Sequence, residues 1–178
     1  MRRSAFPDAP EGAPAIADWT EIEAGEPALA AQAKACFDAH LHKTLATLRR
    51  DGSPRISGIE LIFAQGDVWF GSMPAALKAR DLQRDPRYAV HSGSMDPPAW
   101  SGDAKLAGAA EEVFDQAVLE KVMAEASAEA QQSEPKVEEM HLFRLGVGEL
   151  VWTGLNEAGD KLVIDSWHRA RGRRTIER

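Results

Sequence analysis

The most constraining feature of the sequence is residues 42–72, HKTLATLRRDGSPRISGIELIFAQGDVWFGS, where short apolar runs alternate with turn signals. Residues 44–48 are strand-like and are followed by Asp51-Gly52, a pair typical of hairpin turns. Two more strands are predicted at 55–63 and 68–72, with the turn Gln65-Gly66-Asp67 between them. The segment therefore predicts a three-stranded antiparallel meander, which commits this part of the chain to a β fold.

The remaining sequence adds more strands and a few helices. Strands are predicted at 88–92, 104–113, 140–153 and 161–166, and helices at 27–40, 75–83 and 115–131. Two glycines in 140–153 predict a bulge or bend, and the small run at 107–109 predicts close approach by another group. The pattern indicates a mainly β protein of the α+β type, a small barrel of antiparallel strands with flanking helices.

The two ends of the chain have different compositions. Residues 1–25 are rich in Ala, Pro, Glu and Gly and are expected to form a flexible arm, with order only near Trp19 and Ile22. Residues 26–178 are expected to form a single domain. The basic end, residues 167–178, has no apolar periodicity and is expected to lie outside the barrel strands.

Length, charge and cysteine count exclude several classes of function. With 178 residues and a net charge of -7, the chain lacks the basic surface that general nucleic-acid binding requires. No apolar run reaches the roughly 18 residues that a membrane span needs, and no secretory signal is recognised. The one cysteine, Cys36, suits a reducing cytoplasm and lies on an apolar helical face, which favours a core position over catalysis.

Metal-ligand and nucleophile motifs are not found in the sequence. The five histidines do not form HExxH or paired ligand spacing, so no metal site is expected. Neither GxSxG nor GxGxxG is present, which argues against a hydrolase elbow and a dinucleotide site. The sequence therefore assigns no catalytic residue.

A group of cations follows the third predicted strand and is the first candidate for a ligand site. Arg55, Ser72, Lys78 and Arg80 would converge if the meander folds as predicted, because neighbouring strands lie about 5 Å apart. Arginine, lysine and hydroxyl donors suit the several acceptor oxygens of a phosphate. The alternative, which the spacing alone leaves open, is that Lys78 and Arg80 only solvate a helix face.

The second candidate is Trp167 with the arginines that follow it. An aromatic ring and cations directly after a strand suit stacking on a planar ligand. The alternative for this segment is an unattached basic tail.

Four stretches, in order, resemble the pyridoxamine 5'-phosphate oxidase-like family of flavin-binding split barrels over residues 39–178. They are LATLRRDGSPRISGIEL, VWFGSMPAALKARDLQRDPRYAV, AKLAGAAEEV and LVIDSWHRARGRR. The first resembles the opening hairpin of the family, and the second its strand, phosphate-binding turn and helix. The third and fourth resemble a strand with a small-residue centre and the closing strand with its Trp-Arg end.

The resemblance implies a split β-barrel of Greek-key topology with a few flanking helices. It also implies that Arg55, Ser72, Lys78 and Arg80 hold the phosphate of FMN. The main chain around Ile56–Ile59, which includes Ser57, and around Phe70–Ser72 would line the edge of the flavin ring. Members of the family are homodimers with cofactor sites at the interface, which implies that Trp167 and Arg169 of the other subunit contact the ring. The C-terminal sequence resembles a broader branch whose members bind FMN, the deazaflavin coenzyme F-420, haem or biliverdin.

Three functions remain open from the sequence. The first is a flavin- or deazaflavin-dependent oxidoreductase that transfers hydride to or from a small substrate. The second is a non-catalytic cofactor-binding or storage protein with the same fold. The third is a helix-decorated barrel that acts in protein association.

Overall fold

The computed structural model describes residues 16–130 and 140–178, and for residues 127–130 it describes the backbone alone. In chain order the elements are α1 (Trp19–Gly25), α2 (Pro27–Asp38), β1 (Lys43–Leu48), β2 (Pro54–Ile59), β3 (Ile62–Ala64), β4 (Asp67–Ser72), α3 (Leu77–Arg84), β5 (Arg87–His91), β6 (Asp103–Glu112), α4 (Gln116–Ala130), β7 (His141–Leu155), β8 (Leu162–His168) and β9 (Gly172–Glu177). Residues 1–15 of the predicted arm, and the predicted helix end at residue 131, lie outside the described residues.

The strands form one antiparallel sheet in the order β2-β1-β5-β6-β7-β4-β3, and β8 and β9 extend it from β7. The sheet curls but does not close, because β2 and β3 lie at opposite ends of this order. The architecture is therefore a split barrel with flanking helices, which confirms the predicted fold class.

The predicted second strand, 55–63, is two strands, and the three-stranded meander is wrong in this detail. β2 pairs with β1, whereas β3 pairs with β4, and the chain breaks between them at Glu60 and Leu61. The two hairpins are the expected ones, at Asp51-Gly52 and Gln65-Gly66. The break gives β2 and β3 different neighbours, and it produces the split in the barrel.

The barrel interior is apolar and is sealed by the helices. Phe70 of β4 and Phe143 of β7 are register partners whose stacked rings have centroids 5.1 Å apart, an arrangement worth about 0.5–1.5 kcal/mol beyond area burial. Phe37 of α2 is fully buried in the same core. A second, smaller core forms where α4 packs on β3 and β4, with Trp69 and Val122 buried in it.

The predicted bulge and the predicted close approach are one feature. The register between β6 and β7 shifts after Ala107, so that Gly148 is the extra residue. A Cβ atom at Gly108 would clash with the carbonyl oxygen of Gly146 and would lie 2.9 Å from the nitrogen of Gly148. The small residues of β6 therefore admit the bulged backbone of β7.

Order on the N-terminal side occurs where it was expected, near Trp19 and Ile22, whereas the basic C-terminal end is more ordered than its composition suggests. In α1, Trp19 and Ile22 are buried, and Ala17 forms a β-bridge with Val147. At the other end, the expectation of a tail outside the strands is wrong. Trp167 belongs to β8, and residues 172–177 form β9, which pairs with β8 over its full length.

Polar cross-strand contacts explain the order of the basic end. Asp165 of β8 is buried and accepts hydrogen bonds from Nε and Nη2 of Arg173 at 3.0 and 2.6 Å and from Thr175 at 3.1 Å. Ser166 donates to the carbonyl oxygen of Arg174. Because these partners replace apolar alternation, hydrophobic periodicity does not reveal the strand.

None of the helices among the described residues is both long and apolar enough to cross a bilayer.

Candidate functional site

Helix α3 and the chain that leads into it form the candidate site. β4 ends at Ser72, and a turn at 73–76 starts the helix at Leu77. Ala75 in this turn has φ = 61°, a left-handed conformation that is uncommon for a residue with a side chain. No side chain caps the first turn of α3, so its leading N–H groups are open to a ligand.

Asp81 anchors α3 to the first hairpin through a buried carboxylate. Its Oδ2 accepts from Arg55 Nε at 2.6 Å and from the Thr47 hydroxyl at 3.0 Å, and its Oδ1 accepts from Arg84 Nη2 at 3.2 Å. Arg84 also donates to the carbonyl oxygen of Leu48. One acidic side chain thus joins β1, β2 and α3.

Burial alone would raise the pKa of Asp81, because a carboxylate is poorly solvated inside a protein. The hydrogen bonds from Arg55, Thr47 and Arg84 outweigh that effect and hold its pKa below the usual value. Asp81 is therefore ionised at neutral pH. Since Asp81 engages Nε of Arg55, the two terminal nitrogens of that guanidinium remain to donate elsewhere.

Lys78 lies at the start of α3 and reaches strand β2. Its ammonium donates to the carbonyl oxygen of Gly58 at 2.8 Å, and it has no carboxylate partner among the described residues. Partial burial lowers the pKa of Lys78. A partly desolvated ammonium whose charge is not neutralised is a suitable ligand for an anion.

Arg80 does not share the position of Lys78. The two residues are two apart on the helix, which separates their directions by about 200°. Arg80 is exposed, whereas Lys78 is half-buried against β2. The structure therefore brings Arg55 and Lys78 to the interface of β2 with α3 and leaves Arg80 on the outer surface.

Ser72 is a buried polar residue whose hydroxyl has no hydrogen-bond partner among the described residues. It is 3% exposed, and its hydroxyl oxygen is buried without a hydrogen bond. Such a group costs free energy unless a ligand or water satisfies it, on the order of 1–3 kcal/mol. This is the kind of unsatisfied donor that is expected where a ligand's polar group binds.

The two remaining candidates on β2 alternate in direction. Ser57 is half-buried on the same face as Arg55, and Ile56 points to the opposite face with 74% of its surface exposed. Met73 and Leu77, in and after the turn, are also exposed, at 76% and 55%. The candidate site is therefore bordered by large apolar side chains.

Trp167 and Arg169 lie in the β8–β9 hairpin, away from these residues in the strand order. Trp167 is half-buried against the barrel core. Arg169 forms an ion pair with Glu21 of α1 at 3.3 Å, and its N–H donates to the carbonyl oxygen of Gly148. Within the described ranges, no hydrogen bond or ion pair joins the hairpin to β2 or α3.

Asp81 and its partner Thr47 were not among the residues that the sequence singled out. Asp81 lies 26 residues from Arg55 and 34 from Thr47 along the chain, so the contacts depend on where α3 packs. The available signal was an acidic residue inside the basic helix KARDLQR. In the part of the chain that the structure describes, no three His, Cys, Asp or Glu side chains cluster as metal ligands.

Comparison with known proteins gives a family match. The family model described as pyridoxamine 5'-phosphate oxidase matches residues 29–150, which is more than half of the chain. The match spans β1–β4 and α3, and so includes every residue of the candidate site except those of the β8–β9 hairpin. No curated protein is significantly similar to the chain in sequence.

Solved structures with the same fold have low sequence identity. A pyridoxamine 5'-phosphate oxidase-related, FMN binding protein from Nostoc punctiforme has a TM-score of 0.59 at 12% identity, covering 86% of this chain and 95% of the other. A heme binding protein from Mycobacterium smegmatis has a TM-score of 0.57 at 17% identity, with coverage of 85% and 88%. The heme storage protein HutZ from Vibrio cholerae has a TM-score of 0.53 at 19% identity, with coverage of 68% and 89%.

Proposed function

The chain belongs to the pyridoxamine 5'-phosphate oxidase family, and from this we propose that it binds FMN at the α3 end of its barrel and acts as an oxidoreductase on a small organic substrate. One observation carries the proposal. Residues 72–78 run from the last residue of β4 to the first turn of α3. Among the described residues, the buried hydroxyl of Ser72 has no hydrogen-bond partner and the ammonium of Lys78 has no carboxylate partner.

The donors at this end of the barrel fit a phosphate. A phosphate presents several acceptor oxygens, and the site offers the Ser72 hydroxyl, the Lys78 ammonium and the terminal nitrogens of Arg55. The uncapped first turn of α3 adds backbone N–H groups, which favour an anion at a helix N-terminus. Arg80, which is exposed, contributes to the local positive potential rather than to direct contact.

The apolar border fits a flat aromatic ring. Met73 and Leu77 flank the turn between Ser72 and Lys78, and Ile56 lies on the outer face of β2; all three provide exposed apolar surface at this end of the barrel. A bound flavin supplies the hydride chemistry itself. The chain's residues then hold the phosphate, orient the ring and exclude water, and no residue is assigned as a catalytic acid or base.

We also propose that the protein is a homodimer with its cofactor sites at the interface. The support is the exposure of Ile56, Met73 and Leu77, since a second copy would bury these side chains together with the cofactor. Light scattering should then give about twice the chain mass of 19.4 kDa. Ile56→Glu should shift the protein toward monomer and weaken cofactor binding, and a wild-type monomer at micromolar concentration would contradict the proposal.

A second candidate function is non-catalytic binding of a cofactor, with haem or coenzyme F-420 as other ligands. The observation that favours it is the structural similarity to proteins named for heme binding and heme storage, which is as close as that to the FMN binding protein. The side chains that would donate hydrogen bonds to a phosphate favour FMN or F-420 over haem, because a haem carries carboxylates and not phosphate.

The deciding experiment is the absorbance spectrum of protein purified from a host that makes FMN, haem and F-420, with mass identification of the released ligand. The proposal expects FMN, and expects FMN to bind more tightly than riboflavin, which lacks the phosphate. Equal affinity for the two would refute phosphate recognition. Turnover with nicotinamide reductants or with reduced deazaflavin separates the oxidoreductase from the binding protein.

A further inference from the structure

Ser72 has a neighbour on β7, His141, to which the sequence analysis assigned no role. Ser72 and His141 are register partners in the β4–β7 pair, so their side chains lie on the same face of the sheet. The next pair on that face, Phe70 and Phe143, stacks inside the barrel. His141 and Ser72 are therefore adjacent at the end of the barrel interior, directly beyond these stacked rings.

His141 is held in place by a carboxylate. Its Nδ1 lies 2.5 Å from Oε1 of Glu112 on β6, and Oε2 of Glu112 accepts from Gln83 of α3 at 2.8 Å. Because the partner of Nδ1 is a carboxylate, Nδ1 carries a hydrogen and donates it. The side chains of His141 and Glu112 are 24% and 10% exposed, so the pair is largely shielded from water.

This arrangement leaves two polar atoms without partners at one strand end. Among the described residues, the polar contact of His141 is that of Nδ1 with Glu112, and the Ser72 hydroxyl is buried and unsatisfied. The two side chains come from neighbouring strands, and Gln83 of α3 donates to Glu112, the partner of His141. An oxygen of an anionic ligand placed between them would accept from the Ser72 hydroxyl and, when Nε2 also carries a hydrogen, from the His141 ring.

We propose that His141, oriented by Glu112, binds the phosphate of the cofactor together with Ser72. The inference rests on the proposed function and adds a phosphate-binding residue that the sequence did not indicate. Nε2–H of the imidazolium and the serine O–H donate to the phosphate. Glu112 neutralises the imidazolium from the opposite side, so that the ring is fixed by a carboxylate at Nδ1 and by the ligand at Nε2.

The test replaces His141 with asparagine. The side-chain amide of the asparagine keeps a donor near the position of Nδ1 for Glu112 but lacks Nε2. In calorimetric titrations, His141→Asn should weaken FMN binding roughly tenfold or more and leave riboflavin binding unchanged. The matched control is His42→Asn, at a surface histidine whose side chain is 76% exposed, and it should bind both ligands like the wild type.

Two results would overturn the inference: unchanged FMN affinity in His141→Asn, or equal losses for FMN and riboflavin. If the variant does not fold, nitrogen NMR of the wild-type histidine rings replaces it. Addition of FMN should then move the Nε2 signal of His141 far more than riboflavin does, and an equal response to both ligands would reject phosphate contact.

Failure of the proposed function gives a different pattern. If the wild type binds neither FMN nor riboflavin, that function is wrong, and inorganic phosphate becomes the probe. Phosphate, against chloride at equal ionic strength, should then raise the Tm of the wild type but not that of His141→Asn. An equal rise in both proteins, or none in the wild type, would overturn the anion site itself.

Discussion

Two parts of this molecule are rich in cations, and they differ in what those cations contact. In the β8–β9 hairpin, Arg173 bridges Asp165 and Glu26, Arg169 pairs with Glu21, and Arg171 lies 3.8 Å from Glu149. At α3, a carboxylate engages only one edge of Arg55, and the charge of Lys78 meets a neutral carbonyl. Arg169, Arg171 and Arg173 thus already have carboxylate partners, whereas the α3 end retains positive charge that an anion can meet.

Cations that hold the fold thus differ from cations that are available to a ligand. A cation with a carboxylate at short distance lowers the free energy of the folded state mainly by that contact. A cation without one has unused attraction for an anion, and a buried polar neighbour such as Ser72 gives that attraction a direction. Four predictions test whether the two regions divide in this way.

The largest expected effect comes from the buried carboxylate in each region. Asp81→Asn should lower the free energy of unfolding by about 3 kcal/mol, because Arg55, whose side chain is only 20% exposed, loses its counter-charge. Asp165→Asn should cost less, about 1–2 kcal/mol, since the Arg173 side chain is 38% exposed and water partly replaces its partner. Urea denaturation with both variants measures the two costs.

Ligand binding should separate these two variants further. Asp81→Asn should also weaken FMN, because Asp81 holds the guanidinium of Arg55 in position, whereas Asp165→Asn should not. If both variants weaken FMN equally, or neither does, the division between the regions is wrong.

The pH dependence of stability gives the second prediction. The folded pKa of Asp81 is held below its usual value, so the stabilisation is fully present above the unfolded pKa of 3.8. This stabilisation is lost as pH falls through the folded pKa of Asp81, because the carboxylate takes up a proton at a higher pH in the unfolded chain than in the folded protein. The free energy of unfolding should therefore drop more steeply below about pH 4 in the wild type than in Asp81→Asn. Parallel curves for the two proteins would argue against an ionised, hydrogen-bonded Asp81.

The sequence predicted most of the barrel because its signals are local. The turns at Asp51-Gly52 and Gln65-Gly66 and the glycines Gly146 and Gly148 of β7 each specify backbone geometry within a few residues. Strand β9 was missed because the contacts that hold it are polar: Arg173 and Thr175 of β9 donate to Asp165 of β8. Polar residues of this kind are also typical of a solvated tail. Apolar alternation carries no information about a strand that is held by ion pairs.

The candidate site was predictable in its donors but not in its geometry. Arg55, Ser72 and Lys78 were identified from residue type and from family resemblance. Residue type does not reveal that Asp81 binds Nε of Arg55 or that His141 lies opposite Ser72. Each of these depends on the packing of α3 or on strand register across many residues of chain.

The third prediction compares two cations on the same helix. Lys78→Met keeps the length of the side chain and removes its charge, and FMN affinity should fall by roughly 10- to 100-fold with riboflavin binding little changed. Arg80→Met, which removes an exposed charge on another face of α3, should change FMN affinity only slightly. Fluorescence titration of both variants tests the assignment, and a larger loss in Arg80→Met would place the phosphate on the outer face of the helix.

The smallest expected effect, and the sharpest test of the hairpin, concerns Arg169. Its ion pair with Glu21 is exposed on both sides, 39% and 48%, so Arg169→Ala should change the free energy of unfolding by no more than about 0.5 kcal/mol. Glu21→Gln breaks the same pair but keeps the arginine. If Arg169 of one subunit contacts the flavin of the other, only Arg169→Ala should weaken FMN, by roughly two- to fivefold, and Glu21→Gln should match the wild type or bind slightly tighter, since it frees the guanidinium. Titrations of both variants at a concentration where the protein is dimeric decide the point. Identical FMN affinities in all three proteins would mean that Arg169 only fastens the hairpin to α1 and makes no contact with the cofactor.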